Sequence, residues 1–349
     1  MAEGISLEEL QLAARNHGMP LEALRYPVTP VGLHYLLTHY DVPDVDAGSW
    51  SLRVRGEQEV SLGLDQVRAR PWVELAVTME CAGNGRARLD PRPVSQPWLL
   101  EAVGTARWAG TPLRPLLEEA GVGEGAVEVL FTGVDRGSEG GEEQAFQRAL
   151  AVEEALRDEV LLAYEMNGEP LPPQHGYPLR LIVPGWYGMT NVKWLCEIEV
   201  LREPFSGYQQ SWSYRVRQNE DEEGEPLQRM LPRSLFVPPG IPEFMTRERF
   251  VPAGEVLVQG RAWSGLAPVA SVEVSADGGS SWAGAEVEPG EGRWAWRGWS
   301  FRWRADPGAY VLCSRARDEA GNEQPLEPAW NLGGYANNSV QRVPVTVTG

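Results

Sequence analysis

The feature that most constrains this chain is a change of periodicity near residue 235. Before it, segments with helical spacing are interleaved with alternating ones; beyond Pro238-Pro239-Gly240-Ile241-Pro242, which reads as a linker, helical periodicity disappears. Short alternating runs follow at 255–263, 270–276, 294–304, 309–318 and 340–347, separated by turn-forming strings such as Asp277-Gly278-Gly279, Asp306-Pro307-Gly308 and Glu319-Ala320-Gly321-Asn322. Alternation with period two lets a strand bury one face, and glycine beside Asp or Asn supplies the backbone angles of tight turns. A tail of this length has room for about seven such strands, the pattern of an immunoglobulin-like sandwich. Trp263, Trp282, Trp294, Trp296, Trp299, Trp303 and Trp330 crowd this part of the chain. That density suits a sandwich core and an apolar contact surface, as in a dimerising module.

The first part of the chain mixes element types without a regular βαβ period, which predicts an α+β domain with mixed sheets. Helices are expected over 3–16, 62–68, 111–120 and 146–157, the third with Pro112 in its first turn and Gly121 after its end. Strands are expected over 50–56, 73–78, 125–133, 160–166 and 179–183. Residues 135–144 read as a Gly/Glu-rich loop and 185–194 as a polar loop broken by glycine. The predicted organisation is an α+β domain over 1–235 and an all-β immunoglobulin-like domain over 236–349.

The formal charge of -18 over 349 residues argues against nucleic acid or an anionic membrane as partner, because the long-range field repels both. Part of the acid excess lies in 219–225, a solvated loop by composition. No stretch approaches the ~18 apolar residues of a membrane span, and the N-terminus lacks the regions of an export signal. A cytoplasmic location is expected for the chain as given, and a periplasmic one if a leader was removed.

Three cysteines, at 81, 196 and 313, are too few and too scattered for a disulfide framework or a thiolate zinc site. Cys196 and Cys313 sit in alternating apolar runs and read as core residues. Only Cys81 is in a loop, Met79-Glu80-Cys81-Ala82-Gly83-Asn84-Gly85-Arg86, directly after a β-prone run. Glycine there allows close backbone approach to a bulky ligand, and Arg86 places a fixed positive charge beside a potential thiolate. On these residues alone Cys81 is either a functional thiol or a buried structural one. Nothing nearby offers the base and orienting partner that a nucleophile needs. His34 and His39, five positions apart, do not share a helical face and read as hydrogen-bonded core or boundary histidines.

Seven strings carry a resemblance. They are Glu80-Cys81-Ala82-Gly83-Asn84, Thr105-Ala106-Arg107-Trp108-Ala109-Gly110, Leu161-Leu162-Ala163-Tyr164-Glu165-Met166-Asn167-Gly168, His175-Gly176-Tyr177-Pro178, Val192-Lys193-Trp194-Leu195, Ala262-Trp263-Ser264-Gly265 and Trp330-Asn331-Leu332. In this order, between Thr29 and Arg342, the chain resembles the sulfite oxidase family of molybdenum-cofactor enzymes. The resemblance implies a sulfite-oxidase-type molybdopterin-binding α+β domain followed by an immunoglobulin-like dimerisation domain, hence a homodimer. It implies Cys81 as the thiolate ligand of molybdenum, a soft donor suited to that metal. It implies cofactor contacts from His39, Asp135, His175, Arg180, Thr190, Asn191 and Lys193, with Tyr35 and Thr38 in the N-terminal motif; His34 keeps its structural reading.

At the substrate position the resemblance implies Arg86, Trp98 and Tyr214, the tyrosine displaced by about one position. Two further arginines expected of sulfite-oxidising members are absent: Leu37 stands at one place and Pro268 near the other. Sulfite is a small dianion, and each hydrogen bond to a charged group contributes about 1.5–3 kcal/mol, so Arg88, Arg92 or Arg107 would have to substitute. The implied activity is oxidation of sulfite to sulfate. No haem-attachment motif lies in the chain, so electrons are expected to leave to a separate acceptor such as a cytochrome or dioxygen. Two alternatives stay open. One is a related molybdoenzyme acting on another sulfur or nitrogen oxo compound, since Gly32-Leu33-His34-Tyr35 resembles the sulfane dehydrogenase branch; the other is a non-catalytic scaffold on the same fold.

Overall fold

The computed structural model describes residues 4–349. The expected start of the first helix at residue 3 lies outside the described residues. From Leu7 to Arg15 the helix is present, with Ser6 and Glu9 forming a capping box that satisfies two orphan N–H groups. Its leucines Leu7 and Leu10 face solvent, whereas Glu9 is buried against Arg92.

The first domain is built on two sheets. One has the order Glu59–Gly63, Ser51–Arg55, Leu195–Leu201, Glu128–Glu139, Glu142–Ala151. Ser51–Arg55 pairs with Leu195–Leu201 in parallel and the remaining pairs are antiparallel, so the sheet is mixed as expected. The other runs Val73–Glu80, Val103–Pro112, Leu161–Met166, Glu169–Pro170, with Arg180–Ile182 on a second edge of Leu161–Met166. The α-helices of this domain are short, none longer than the nine residues of Leu7–Arg15.

Two expectations fail here for one reason. Residues 146–157 are not a helix, and 135–144 are not a loop. Glu128–Glu139 and Glu142–Ala151 form a long hairpin, turned at Gly140 and Gly141 with φ of 65° and 87°, and only Val152–Ala155 is helical. The Ala and Leu content of 146–157 favours helix locally. Pairing across the hairpin overrides it, and Phe146, Arg148 and Leu150 then share one buried face with period two. The expected helix over 111–120 starts later, at Arg114 after a strand ending at Pro112, and its early proline is Pro115; Gly121 caps its end.

The second domain is a sandwich. A four-stranded sheet (Arg233–Phe236, Gly254–Trp263, Arg297–Ala305, Glu286–Val287) faces a six-stranded one centred on Gln341–Thr348, Gly308–Asp318 and Val269–Ser275. Val258, Val272, Trp299, Leu312 and Val345 fill the space between them. The strand Arg233–Phe236 pairs with Gly254–Trp263, so residue 235 lies inside a strand of the sandwich. The tryptophans divide between two jobs. Trp299 and Trp303 belong to the sandwich core, whereas Trp263 and Trp296 join the core of the first domain.

That sharing ties the domains together at the cysteine loop. Glu80 is buried and accepts a hydrogen bond from Trp263 Nε1 at 2.9 Å, one from Asn84 Nδ2 at 3.0 Å, and the charged contact of Arg233. Ala336 N donates to Ala82 O at 2.8 Å, and Asn337 Nδ2 donates to Gly85 O at 2.9 Å. Gly85, with φ of 95°, has no room for a side chain: an added Cβ would meet Asn337 at 3.0 Å. The loop that carries the thiol is therefore folded by one domain and clamped by the other.

Candidate cofactor and substrate site

Cys81 emerges at the end of strand Val73–Glu80, its N–H donating to Ala102 O at 2.9 Å and its carbonyl accepting from Asn84 N at 3.0 Å. It is 7% exposed and unpaired. Burial pushes its thiol up in pKa, while the Arg86 charge and the Gly83 N–H act in the opposite direction. Cys313 is a buried strand residue, as expected, whereas Cys196 lies in a strand but is only half-buried, its outward position on Leu195–Leu201 keeping it out of the core.

Two cavities meet at Cys81. The inner one, about 630 Å³ including open solvent, is lined by Tyr35, His39, Asp135, His175, Arg180, Asn191 and Lys193 from the predicted set. Thr190 is buried beside Asn191, and Thr38 lines the outer cavity instead. The outer cavity, about 930 Å³ including open solvent, brings together Arg86, Trp98 and Tyr214. Leu37, His39, Cys81 and Tyr214 border both.

The inner cavity is rich in basic groups and has one carboxylate. Burial and the neighbouring Lys193 charge push His39 down to about 3, and burial with His34 and Arg180 depresses His175. Arg180 is lowered to about 10 by burial, and Lys193 is held well below the usual lysine range by burial and Arg180. Desolvation raises Asp135 to about 6. The basic groups among these regain charge when an anion enters beside them, whereas Asp135 is pushed further toward its neutral form. Several are also short of partners: Asp135 Oδ1, Thr190 Oγ1, Arg180 Nε and His34 Nε2 are buried without a hydrogen bond. Buried polar atoms are normally paired. Together they describe a site built for an anionic ligand with several polar edges, next to a soft thiolate, which fits a molybdopterin with its phosphate and pterin ring.

Not every predicted contact is free. Asn191 holds the loop itself, accepting from Val183 N at 2.8 Å and donating to Tyr187 O at 3.2 Å. Lys193 Nζ donates to Leu37 O and Gln174 O, both at 3.0 Å, and to Thr38 Oγ1 at 3.3 Å, so it ties the N-terminal motif to the 173–175 turn.

Several site residues were not legible in the sequence. His34, read as structural, lines the inner cavity, with its ring 5.5 Å from that of His175. Tyr335, from the second domain, lines the outer cavity between the Arg86 guanidinium, 5.0 Å from its ring centre, and the Tyr214 ring at 5.4 Å. Phe146, from the hairpin misread as a helix, stacks on His39 at 4.8 Å. Glu139 brings a half-buried carboxylate into the outer cavity. Only the Gly32-Leu33-His34-Tyr35 run carried a signal for any of these.

The arginine deficit is real at the positions examined from sequence. Leu37 lines both cavities, and Pro268 lies outside them. Of the substitutes, Arg88 is exposed, Arg92 pairs with Glu9, and Arg107 pairs with Glu291 at 2.9 Å. Arg86 is buried, with Nε donating to Gly333 O at 2.8 Å and a terminal nitrogen to Gln96 O at 3.2 Å.

The depressed histidines make acid stability a test of this electrostatic picture. An unfolded histidine titrates near about 6.5, whereas His34 and His39 are held at about 4 and about 3. The unfolded chain therefore takes up these protons first. Cofactor-free protein should lose stability as pH falls from about 6.5 toward about 4. The check is a urea midpoint that drops over that window; a flat midpoint contradicts it.

The chain is similar to known proteins over most of its length. Residues 39–209 match the model of the oxidoreductase molybdopterin binding domain, and 229–348 that of the Mo-co oxidoreductase dimerisation domain. The chain is 35% identical over 347 residues to the mitochondrial sulfite oxidase of Rattus norvegicus, covering 92% of this chain and 62% of that protein. It is 35% identical to the sulfite oxidase of Gallus gallus, covering 90% of this chain and 72% of that one. It is also 31% identical to a nitrate reductase of Phaseolus vulgaris, covering 95% of this chain and 41% of the relative. Among solved structures, the sulfane dehydrogenase SoxCD from Paracoccus pantotrophus superposes with a TM-score of 0.82 at 25% identity, covering 95% of this chain and 86% of that one. The chain thus spans about three fifths of the length of the mammalian relatives. With two family domains in order and a curated relative 35% identical over most of its length, the chain belongs to the sulfite oxidase family of molybdopterin oxidoreductases.

Proposed function

We propose that this chain is a molybdenum-dependent enzyme that oxidises sulfite to sulfate, releasing two electrons and two protons per water consumed, and passes the electrons to a separate acceptor such as a cytochrome or dioxygen. The observation that carries this reading is that Cys81, Arg86, Trp98 and Tyr214 line the outer cavity together, Cys81 and Tyr214 also bordering the inner one. Bound molybdopterin would supply the oxygen-atom transfer and the two-electron exchange. Cys81 would hold the metal as a thiolate. His175, Arg180, Asp135, Thr190 and His34 would bind the phosphate and pterin edges, with Lys193, Thr38 and Asn191 shaping their frame and Tyr35 packing beside them. Arg86 would orient the oxyanion by charge-assisted hydrogen bonds. Trp98 and Tyr214 would wall it off from water, and the Tyr214 hydroxyl, hydrogen-bonded to His39, gives that wall a polar edge.

Two measurements test the reading on protein purified from a cofactor-competent host. Molybdenum should be stoichiometric, and sulfite should reduce ferricyanide with saturation. Absent molybdenum would favour the scaffold alternative. Full molybdenum with no turnover at millimolar sulfite would favour the second reading, a relative acting on another sulfur or nitrogen oxo compound. The observation behind that reading is Leu37, an apolar side chain facing both cavities. Replacing Arg180 by Met should lower retained molybdenum several-fold while leaving the fold intact, measured by metal analysis and circular dichroism.

A homodimer is part of the proposal. Its support is the match of the second domain to a dimerisation model and the exposure of Ile241, Phe244 and Met245 on it, at 70%, 81% and 79%. Light scattering should return twice the chain mass of 38.6 kDa. A cytoplasmic location, or a periplasmic one for a chain made with a leader, completes the reading.

A further inference from the structure

The anion pocket lacks arginines at Leu37 and Pro268, yet one buried arginine beside it is unaccounted for. Arg148 is 2% exposed and points from the hairpin strand Glu142–Ala151, one pleat beyond Phe146, whose ring stacks on His39. Its guanidinium lies 5.6 Å from the centre of the Tyr214 ring. One terminal nitrogen donates to Gln209 O, and Nε has no partner. Among the described residues it forms no ion pair, unlike the buried Arg233, which meets Glu80. Burial alone pushes it down, to about 10.

A buried charge without a counter-ion is costly, and replacing it with an apolar side chain of similar volume is often neutral or stabilising. Such a residue needs an explanation in function or in a ligand. Tyr214 borders both cavities and Arg148 lines neither; Arg148 lies against the Tyr214 ring, whose other ring neighbours are Tyr335 and His39. The ring face turned to a guanidinium is attractive to it, so Arg148 fixes the tyrosine from behind. Its charge acts into a site of low dielectric, where screening is weak.

We propose that Arg148 is the second fixed positive charge of the substrate site: a positioning and specificity residue that locks Tyr214 and offsets the charge of a bound oxyanion, in place of the arginine missing at Leu37. The assignment rests on the sulfite reading above. Arg148 touches the substrate only through Tyr214, so its effect is on affinity for anions more than on the chemical step.

The test uses the full molybdenum-loaded chain as wild type, Arg148→Met, Arg148→Gln and Arg148→Lys. Readouts are sulfite oxidation with ferricyanide, inhibition by sulfate, and Tm. Both neutral variants should raise KM for sulfite and the inhibition constant of sulfate by about tenfold or more, a loss comparable to one charged hydrogen bond, with kcat changed less than about threefold. Tm of Arg148→Met should be unchanged or higher, and Arg148→Lys should restore KM to near the wild-type value. Gln keeps a donor toward Gln209 O, so it decides the matter if the Met variant does not fold. Neutral variants that keep wild-type KM and sulfate inhibition, or that lose only Tm, overturn the assignment while the sulfite reading stands. Wild-type enzyme that neither oxidises sulfite nor is inhibited by sulfate overturns that reading and the assignment with it.

Discussion

Serine in place of Cys81 should leave a folded, cofactor-retaining protein whose turnover falls to background. The backbone of residue 81 is held by Ala102 O and by the turn to Asn84, neither of which depends on the side chain. Serine is close to isosteric, and its buried hydroxyl costs at most about 1–3 kcal/mol if it finds no partner. The groups around the pterin end of the inner cavity are untouched. What disappears is a soft thiolate at the junction of the two cavities, for which a hydroxyl is a poor substitute toward a thiolate-preferring metal. The outcome is read as sulfite-dependent ferricyanide reduction, alongside metal content and circular dichroism. Retention of wild-type activity would sink the ligand role and return Cys81 to the core-cysteine reading.

The largest stability effect is expected at the joint between the domains. Arg233 and Glu80 form a charged pair with side-chain exposures of 1% and 4%. Removing one partner from such a pair costs about 3–5 kcal/mol, because the other charge is left buried without compensation. Arg233→Met should therefore lower the urea midpoint markedly. It should also lower activity out of proportion to unfolding, since Arg233 additionally reaches Asn337 O and Asn84 O and so holds the clamp on the cysteine loop. Adding Glu80→Gln to it removes the stranded carboxylate and should recover part of the midpoint. A single Arg233→Met variant as stable as wild type would show that the pair is dispensable and that the backbone bonds from Ala336 and Asn337 suffice.

Where signals were local, the sequence was a sound guide. The five alternating runs stand within three residues of sandwich strands, though the short edge strands had no run of their own. The Cys81 loop, the polar 185–194 loop and the exposed acidic segment 219–225 all follow from residue types that act on their own backbone. The failures have the opposite character. The hairpin Glu128–Glu139/Glu142–Ala151 depends on pairing between strands, and no window of its second strand reports that pairing over its helix-favouring alanines and leucine. That single error hid Phe146 and Arg148, both of which face the site only because the segment is a strand. His34 is buried and hydrogen-bonded, as its structural reading expects, but a histidine in an irregular N-terminal segment gives no sign of which neighbour it will meet, and it meets His175 and Trp108 from distant parts of the chain.

By itself, then, the sequence determined the two-part architecture, through alternation and turn chemistry readable within a few residues, and the family, through seven strings in order; it also singled out Cys81 as the one cysteine in a loop. Only the tertiary structure decided what surrounds that thiol. The outer wall draws on Tyr335 from the second domain, Arg148 stands behind Tyr214 from a strand that looks helical, and Glu80 meets Arg233 across the domain boundary. Each contact joins residues tens to hundreds of positions apart. Such contacts arise from strand pairing and burial of one domain against the other, long-range choices that no local pattern encodes.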